Sequence, residues 1–263
     1  MSLRYAEYLP SAEMAAVVEC FWILEGSGAP VAEPILPDGR TEWLFHYGTP
    51  FSRQYSDGRF ERQPRALVAG QITSPILLAP SHAAGVAAIR LRPGASSLIG
   101  VPATELTDHL APLDAFHRTD AILDQLAAAT SDQARLVVLQ RWLAPLLKEQ
   151  PRLDVSAAVH WIVATGGRIS MALLSARTQL SRRQLQRLFL VHVGLTPKTL
   201  ARIVRVQRAA AQLRSGAALA DIATSCGYYD QAHMALDFRT VAQHSPGAWR
   251  RGAGDLAPLF LPH

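Results

Sequence analysis

Near its C-terminus the chain repeats itself. The run Ser181-Arg-Arg-Gln-Leu-Gln-Arg-Leu-Phe189, followed by Thr196-Pro197, returns 49 positions later as Asp230-Gln-Ala-His-Met-Ala-Leu-Asp-Phe238, followed by Ser245-Pro246. In each copy a polar residue suited to capping opens a helix, a Phe stands eight positions along, and a second cap with a proline starts the next helix. Whatever fold the chain adopts must therefore hold two similarly built helices at a fixed separation.

Charge is unevenly spread around this repeat. Up to residue 150 there are 12 Lys and Arg against 16 Asp and Glu, a net of −4; beyond it there are 14 against 5, a net of +9. A polyanionic partner thus belongs to the half that contains the repeat, because neutralising phosphates releases condensed counterions whatever the sequence. Paired helices at constant spacing suit a partner that is itself periodic, and duplex DNA is the common one.

With 263 residues and 49% hydrophobic content, the chain can bury one large core or two ordinary ones. Cys20 and Cys226 stand far apart and suggest no disulfide framework, which fits a reducing compartment, the cytoplasm by default. The start, Met-Ser-Leu-Arg-Tyr-Ala-Glu7, lacks a basic region followed by an apolar run, and no apolar stretch approaches the ~20 residues that span a bilayer. Neither secretion nor a membrane partner is expected.

Between Phe21 and Pro93, short runs of Val, Ile, Leu and aromatic residues are broken by Gly and Pro about every ten positions. Strands are expected at Phe21–Glu25, Thr41–Tyr47, Ala66–Ala69, Ile76–Ala79 and Val86–Leu91, with turns at Pro37-Asp-Gly39 and Ser56-Asp-Gly58, forming a compact antiparallel sheet or small barrel. Alternation sends Glu42, Leu44 and His46 to one face and Trp43, Phe45 and Tyr47 to the other. After Pro93-Gly94, single helical turns are expected over 95–100 and 102–108. Helices over Thr119–Ala129 and Ser131–Lys148 then carry apolar residues at three-and-four spacing, a pair able to pack on either neighbour or on a second copy of the chain. Gln150-Pro151 is the expected boundary.

Beyond it about seven helices are expected. The first, from Asp154, closes at Gly166-Gly167; the second runs from Ser170 to about Thr178. Ser181 and Gln184 form a capping box, and burying Leu185, Leu188 and Phe189 turns Arg182, Arg183, Gln186 and Arg187 outward. From Thr196-Pro197 a longer helix reaches about Arg214; roughly 17 residues at ~1.5 Å each make a rod of about 26 Å, able to hold its flanking units near the ~34 Å repeat of B-DNA. Arg202, Arg205 and Arg208 recur along it, some of them able to bridge to protein. In the second unit Gly227-Tyr-Tyr229 makes a turn one residue longer than the first.

Residues 155–251 resemble the DNA-binding domain of AraC/XylS-type transcriptional regulators. The matching elements are Leu180–Phe189, Gly194-Leu-Thr-Pro-Lys198, Arg205 with Ala209, Asp221-Ile-Ala223, Gly227-Tyr-Tyr-Asp-Gln231, Phe238-Arg239, and Ser245-Pro246 closing on Trp249-Arg250. The resemblance implies two helix-turn-helix units joined by a long helix, binding adjacent major-groove segments. Its base-reading positions fall on Arg183, Gln186 and Arg187: an Arg offers guanine O6 and N7 two donors and a Gln matches adenine N6 and N7, each pair contributing ~1–3 kcal/mol of discrimination. Ser181, Arg182, Lys198, Gln231 and His233 complete the expected DNA-contacting set. The second unit departs from the family pattern, with Leu236 where a basic residue is common and Gln243 where glycine is. At offset 49, Arg183, Gln186 and Arg187 become Ala232, Ala235 and Leu236, so the second helix is expected to position more than to specify.

Segments Leu36–Phe45, Val68–Ile72, Ala88–Ala95 and Thr107–Leu110 look like the uncharacterised N-terminal domain of one subgroup of these regulators. In related members a barrel-like, cupin-like N-terminal domain binds an effector or dimerises. The expected fold class is accordingly a two-domain α+β chain: an antiparallel β-rich domain over 1–115, a helical linker over 116–150, and an all-α double helix-turn-helix domain over 151–252. Arg40, Glu42, His46, Arg90 and Arg92 are polar groups in apolar surroundings, either lining a small-molecule effector pocket or making structural salt bridges. The scattered histidines, His46 and His82 among them, form no spaced ligand set, so no metal and no other cofactor is expected. No phosphate-cradling glycine loop, nucleophile elbow or zinc-protease His pair is present, and the serines of Pro93–Ser97 lack an identifiable base, so an enzyme is not expected. A homodimer and RNA polymerase are further candidate partners. The competing reading is a protein-interaction adaptor whose contact with DNA is incidental.

Overall fold

The computed structural model of the chain describes residues 3–27, 31–95, 98, 100–147 and 152–252. Among the described residues, ten strands and two α-helices occupy the N-terminal half: β1 (Leu3–Tyr8), β2 (Val18–Gly26), β3 (Glu33–Ile35), β4 (Thr41–His46), β5 (Ser52–Gln54), β6 (Phe60–Arg62), β7 (Ala66–Ala69), β8 (Ile76–Ala79), β9 (Ala84–Leu91), β10 (Leu110–Pro112), α1 (Asp120–Ala128) and α2 (Asp132–Leu143). All pairings are antiparallel, in a six-stranded sheet of order β1-β2-β9-β4-β7-β10 and a four-stranded sheet of order β3-β8-β5-β6. No ladder joins the two sheets among the described strands, so the barrel alternative gives way to stacked open sheets.

Alternation along the central strands explains the layering. Phe21, Ile23, Trp43, Phe45, Ala87 and Ile89 face one way and share a core with Ile122, Leu126, Leu136 and Leu139 of α1 and α2. Trp22, Leu24, Val86 and Ala88 face the other way and meet Ile35, Phe51 and Leu78 of the second sheet. With both faces covered, β9 is buried at every residue. The α1–α2 stripe is thus satisfied within the chain, sealed by Trp142 edge-on to Trp43 and Phe45. Neither the 95–100 turn, which includes the serines at 96 and 97, nor the boundary at 150–151 lies wholly within the described residues. A 3-10 turn stands at Ala103–Glu105, within the span expected for the second helical turn.

The C-terminal half is helical: α3 (Leu153–Ala164), α4 (Met171–Thr178), α5 (Arg182–Val193), α6 (Pro197–Leu213), α7 (Leu219–Ser225), α8 (Gln231–Ala242) and α9 (Pro246–Gly252). Ser181 caps α5 with a full capping box, Thr196 caps α6 by accepting from the Thr199 N–H, and Asp230 caps α8 by accepting from the His233 N–H. One core gathers Leu185, Leu188 and Phe189 of α5, Leu200, Ile203 and Val206 of α6, and Met234 and Phe238 of α8. Leu36 joins it from the N-terminal half, so the two halves are packed together.

Candidate nucleic-acid interface

The first unit consists of α4 and α5. Gln179 ends α4 in the left-handed region at φ 58°, and Leu180 carries the chain to the Ser181 cap. The Ser181 hydroxyl takes the Gln184 N–H at 3.3 Å while Gln184 Oε1 accepts from the Ser181 N–H at 2.9 Å, which fixes the start of α5. Leu185, Leu188 and Phe189 are buried, and Arg182, Arg183, Gln186 and Arg187 are exposed. Among the described residues these four side chains make no ion pair or hydrogen bond with protein. They form a donor-rich surface over the first two turns of α5, where the free N–H groups and the helix dipole favour anions. Lys198 is exposed in the first turn of α6.

The second unit repeats the backbone and changes the chemistry. Gly227 takes the place of Gln179 as the left-handed residue, at φ 78°, and Tyr228 and Tyr229 separate it from the Asp230 cap. Met234 and Phe238 reproduce the stripe of Leu185 and Phe189, but Asp237 stands where the first unit buries Leu188. That carboxylate accepts from Arg202 Nε at 3.0 Å and from Arg205 Nη2 at 3.0 Å. Two arginines of α6 are thereby held against protein. Arg208 packs on Gly166, where an added Cβ would lie 1.7 Å from its Nη1. Gln231 and His233 are exposed, and the His233 ring meets Tyr228 edge-on at 5.3 Å. Leu236 is 59% exposed and Tyr229 93%, so Leu236 is not absorbed by a neighbouring helix. Gln243 ends α8 at φ 55° despite its side chain, in the same left-handed geometry that Gly194 gives α5 at φ 82°.

Family models match both halves: a helix-turn-helix domain over residues 174–252 and a domain of unknown function, DUF6597, over residues 6–112. The chain carries an AraC-type helix-turn-helix domain. That domain implies DNA binding and supports a role in the regulation of transcription. No curated protein matches the sequence. Among solved structures, ToxT from Vibrio cholerae is similar at 11% identity, covering 97% of this chain and 100% of that one with a TM-score of 0.49. A probable AraC family transcriptional regulator from Rhodopseudomonas palustris shares 29% identity over 39% of this chain and 100% of its own, with a TM-score of 0.34. The C-terminal domain of AraT, a response regulator from Geobacillus stearothermophilus, shares 22% over 38% of this chain and 85% of its own, with a TM-score of 0.36.

Of the N-terminal polar candidates, Arg40, Glu42, Arg90 and Arg92 share one charge network with Glu19 and Asp38, and His46 stands apart from it. Arg90 donates to Glu42 and Glu7, both at 2.7 Å, within the six-stranded sheet. Glu42 also accepts from Trp22 Nε1 at 3.0 Å. His46 is fully buried with Nε2 against Gln63 Oε1 at 3.1 Å, and burial pushes its pKa down to about 4. Arg40 binds Glu19 through three hydrogen bonds of 2.8 to 3.0 Å. Burial alone would raise the Glu19 pKa, but this pair outweighs it and holds the carboxylate below its usual range. Arg92 donates to the Ala15 carbonyl at 2.7 Å. Salt bridges and ordinary core thus account for most of the set, while Arg40 and Arg92 reach a cavity beside the AraC-type domain. Asp38 and Gln207 border the same cavity and were not among the sequence candidates. The Pro37-Asp-Gly39 turn was legible as a turn, but no periodicity marks what a turn docks against. Among the described residues no cluster of three His, Cys, Asp or Glu side chains suits a metal, and no helix is long and apolar enough to cross a membrane.

Proposed function

We propose that this regulator binds DNA sequence-specifically, with α5 reading bases in one major-groove segment and α8 seated in the adjacent one. The observation that carries the reading is the exposed, unpaired set Arg182, Arg183, Gln186 and Arg187 on a helix whose opposite stripe is locked into the core. Arg183, Gln186 and Arg187 supply base contacts; Ser181, Arg182 and Lys198 hold phosphates; Gln231 and His233 position α8. Residues 151–252 form the reading domain, 1–115 a domain that senses a small-molecule effector or dimerises, and 116–150 the helical link. The protein works in the cytoplasm. Arg187→Ala is expected to weaken binding to a selected cognate duplex by ~1–3 kcal/mol and to leave affinity for random duplex nearly unchanged. Equal losses on both duplexes, measured by fluorescence anisotropy, refute base reading.

One observation favours a second reading, in which the chain is an adaptor and its second unit docks on protein such as RNA polymerase. Leu236 and Tyr229 expose apolar surface on that unit, and exposed apolar groups suit protein partners. A salt titration separates the readings, because phosphate engagement makes log affinity fall steeply with log salt concentration.

A further inference from the structure

Helices α5 and α8 bury the same positions and expose opposite chemistry. Leu185, Leu188 and Phe189 of α5 are matched at offset 49 by Met234, Asp237 and Phe238 of α8, and all six are buried, so both helices turn the same register outward. In α5 that register carries Arg183, Gln186 and Arg187; in α8 it carries Ala232, Ala235 and Leu236. Ala232 is exposed, Ala235 half-buried and Leu236 59% exposed. Residues three and four apart are neighbours on a helix, so these three make one continuous apolar face. Gln231 and His233 flank its start, and Arg239, three positions beyond Leu236 and exposed, marks its end with a group suited to a phosphate. No carboxylate lies on it: Asp230 accepts from the His233 N–H at the cap, and Asp237 is buried with Arg202 and Arg205.

A lone exposed leucine is ordinary. This one, with two alanines beside it, fills the positions from which a reading helix would offer donors to guanine or adenine. Laid over a purine, such a face would leave N7 and O6 or N6 without water and without a partner, which costs free energy. The major groove presents one apolar substituent that an uncharged face can cover, the C5-methyl of thymine. Leucine reaches less far than arginine, and the small side chains at 232 and 235 let the helix come correspondingly closer to the base edges.

We propose that α8 selects thymine through its methyl group, with Leu236 against the C5-methyl and Ala232 and Ala235 permitting the approach. The inference rests on the DNA-reading function above and adds base selection to a helix that Gln231 and His233 seat. The two segments of the operator are then chosen by different chemistry, the one under α5 by hydrogen bonds and the one under α8 by methyl groups.

Duplexes are selected with the full chain from a randomised library, and binding is measured by fluorescence anisotropy. Arg187→Ala marks the segment under α5, because preference is lost at the bases that Arg187 reads. Thymines of the adjacent segment are then replaced one at a time by deoxyuridine, which removes the methyl and keeps every hydrogen-bonding atom. At least one replacement is expected to weaken binding about fourfold, equivalent to ~0.8 kcal/mol for one buried methyl. At the same position 5-methylcytosine should bind more tightly than cytosine by a similar factor. Leu236→Ala, a change at an exposed site by a good helix former, should respond to neither replacement, whereas Leu236→Met should still respond. Leu236→Arg gives up the methyl contact, so any gain from a new phosphate contact is cut about fourfold on the selected duplex and not on random duplex. Uracil tolerated throughout the adjacent segment, no thymine selected there, or a uracil penalty as large in Leu236→Ala as in the parent each overturns the proposal. Failure to select any duplex sinks the DNA-reading function and this proposal with it; sequence-specific binding without a methyl effect sinks this proposal alone.

Discussion

Replacing Leu236 by arginine puts the repeat to a direct test, because Leu236 occupies in α8 the register that Arg187 occupies in α5. The side chain is 59% exposed, so little buried apolar area is lost, and Arg matches Leu as a helix former; stability should stay within ~0.5 kcal/mol of the parent. If α8 lies in a groove, the new guanidinium neutralises one more phosphate. Release of about 0.9 counterion at 0.1 M salt is then worth about 0.9 RT ln 10, or roughly 1.2 kcal/mol, an eightfold gain in affinity. The slope of log K against log salt should steepen by about 0.9 on cognate and random duplex alike. A further ~1–3 kcal/mol confined to particular sequences would mark a bidentate contact with guanine. Fluorescence anisotropy across a salt series, with duplexes selected by the parent protein and random controls, reads all of these quantities. Unchanged affinity and slope in a variant that melts like the parent would mean that this face of α8 never approaches DNA.

Three other substitutions probe the fold that presents the site. Asp237→Ala removes the carboxylate shared by Arg202 and Arg205 and should cost about 2–3 kcal/mol in urea unfolding, below the ~3–5 kcal/mol of a fully buried pair because both guanidiniums keep some contact with water; a loss under ~1 kcal/mol contradicts the assignment. Gln243→Gly relieves a left-handed residue at φ 55° and should stabilise by about 0.5–1 kcal/mol, with no gain if the helix end is strain-free. His46 and Asp38 oppose one another in acid. The His46 pKa is lowered from 6.5 to about 4, so its stabilisation, about 3 kcal/mol at ~1.36 per pH unit, is present above pH 6.5 and is lost as pH falls through about 4. The Asp38 pKa is raised from 3.8 to about 6, so its contribution is present below pH 3.8 and is lost as pH rises through about 6. Between pH 6.5 and 4, acidification should therefore cost the Asp38→Asn variant more stability than the parent and the His46→Phe variant less, as read by denaturant titration at each pH; parallel curves for all three would remove both assignments.

The elements of the reading domain were legible because their signals are local. Ser181 with Gln184, Thr196-Pro197 and Asp230 each fix a helix start through hydrogen bonds within four residues, and all three appear where the sequence places them. Strands β7 and β8 match their expected bounds to the residue, since Gly and Pro bracket a continuous apolar run. Other strands were not legible. Edge strands β1 and β6, and β5 beside β6, carry polar sequences that are half-exposed or exposed, and their pairing depends on partners elsewhere in the chain, which no periodicity encodes. The same holds for the ion pairs: the regular arginines of α6 look like a phosphate-facing row until Asp237 is seen to bind two of them. In the second unit the offset that maps Leu188 onto Asp237 was available, but a buried carboxylate is recognisable only beside its cations.

How the two halves meet bears on what kind of control the chain can exert. Thr107 Oγ1 donates to the Gly194 carbonyl at 2.9 Å, where Gly194, at φ 82°, ends α5 so close to Ala103 that a Cβ would come within 2.9 Å of its carbonyl oxygen. Gly39 sits against Leu200 of α6, where a Cβ would lie 2.5 Å from Cδ1, and Gln207 of α6 binds the Pro37 carbonyl. These contacts fall on the C-terminal end of α5 and on α6. They leave Arg182, Arg183, Gln186 and Arg187 at the other end of α5 exposed. The N-terminal half therefore does not shield the basic face in this arrangement. Its contacts fall instead on α6, which spaces the two units, and under the proposed reading a periodic partner is sensitive to that spacing, because only one separation would seat both helices in consecutive grooves. Control through the domain junction consequently predicts altered discrimination between operators of different half-site spacing, with little change in affinity for a single half-site, whereas control by masking would change both together.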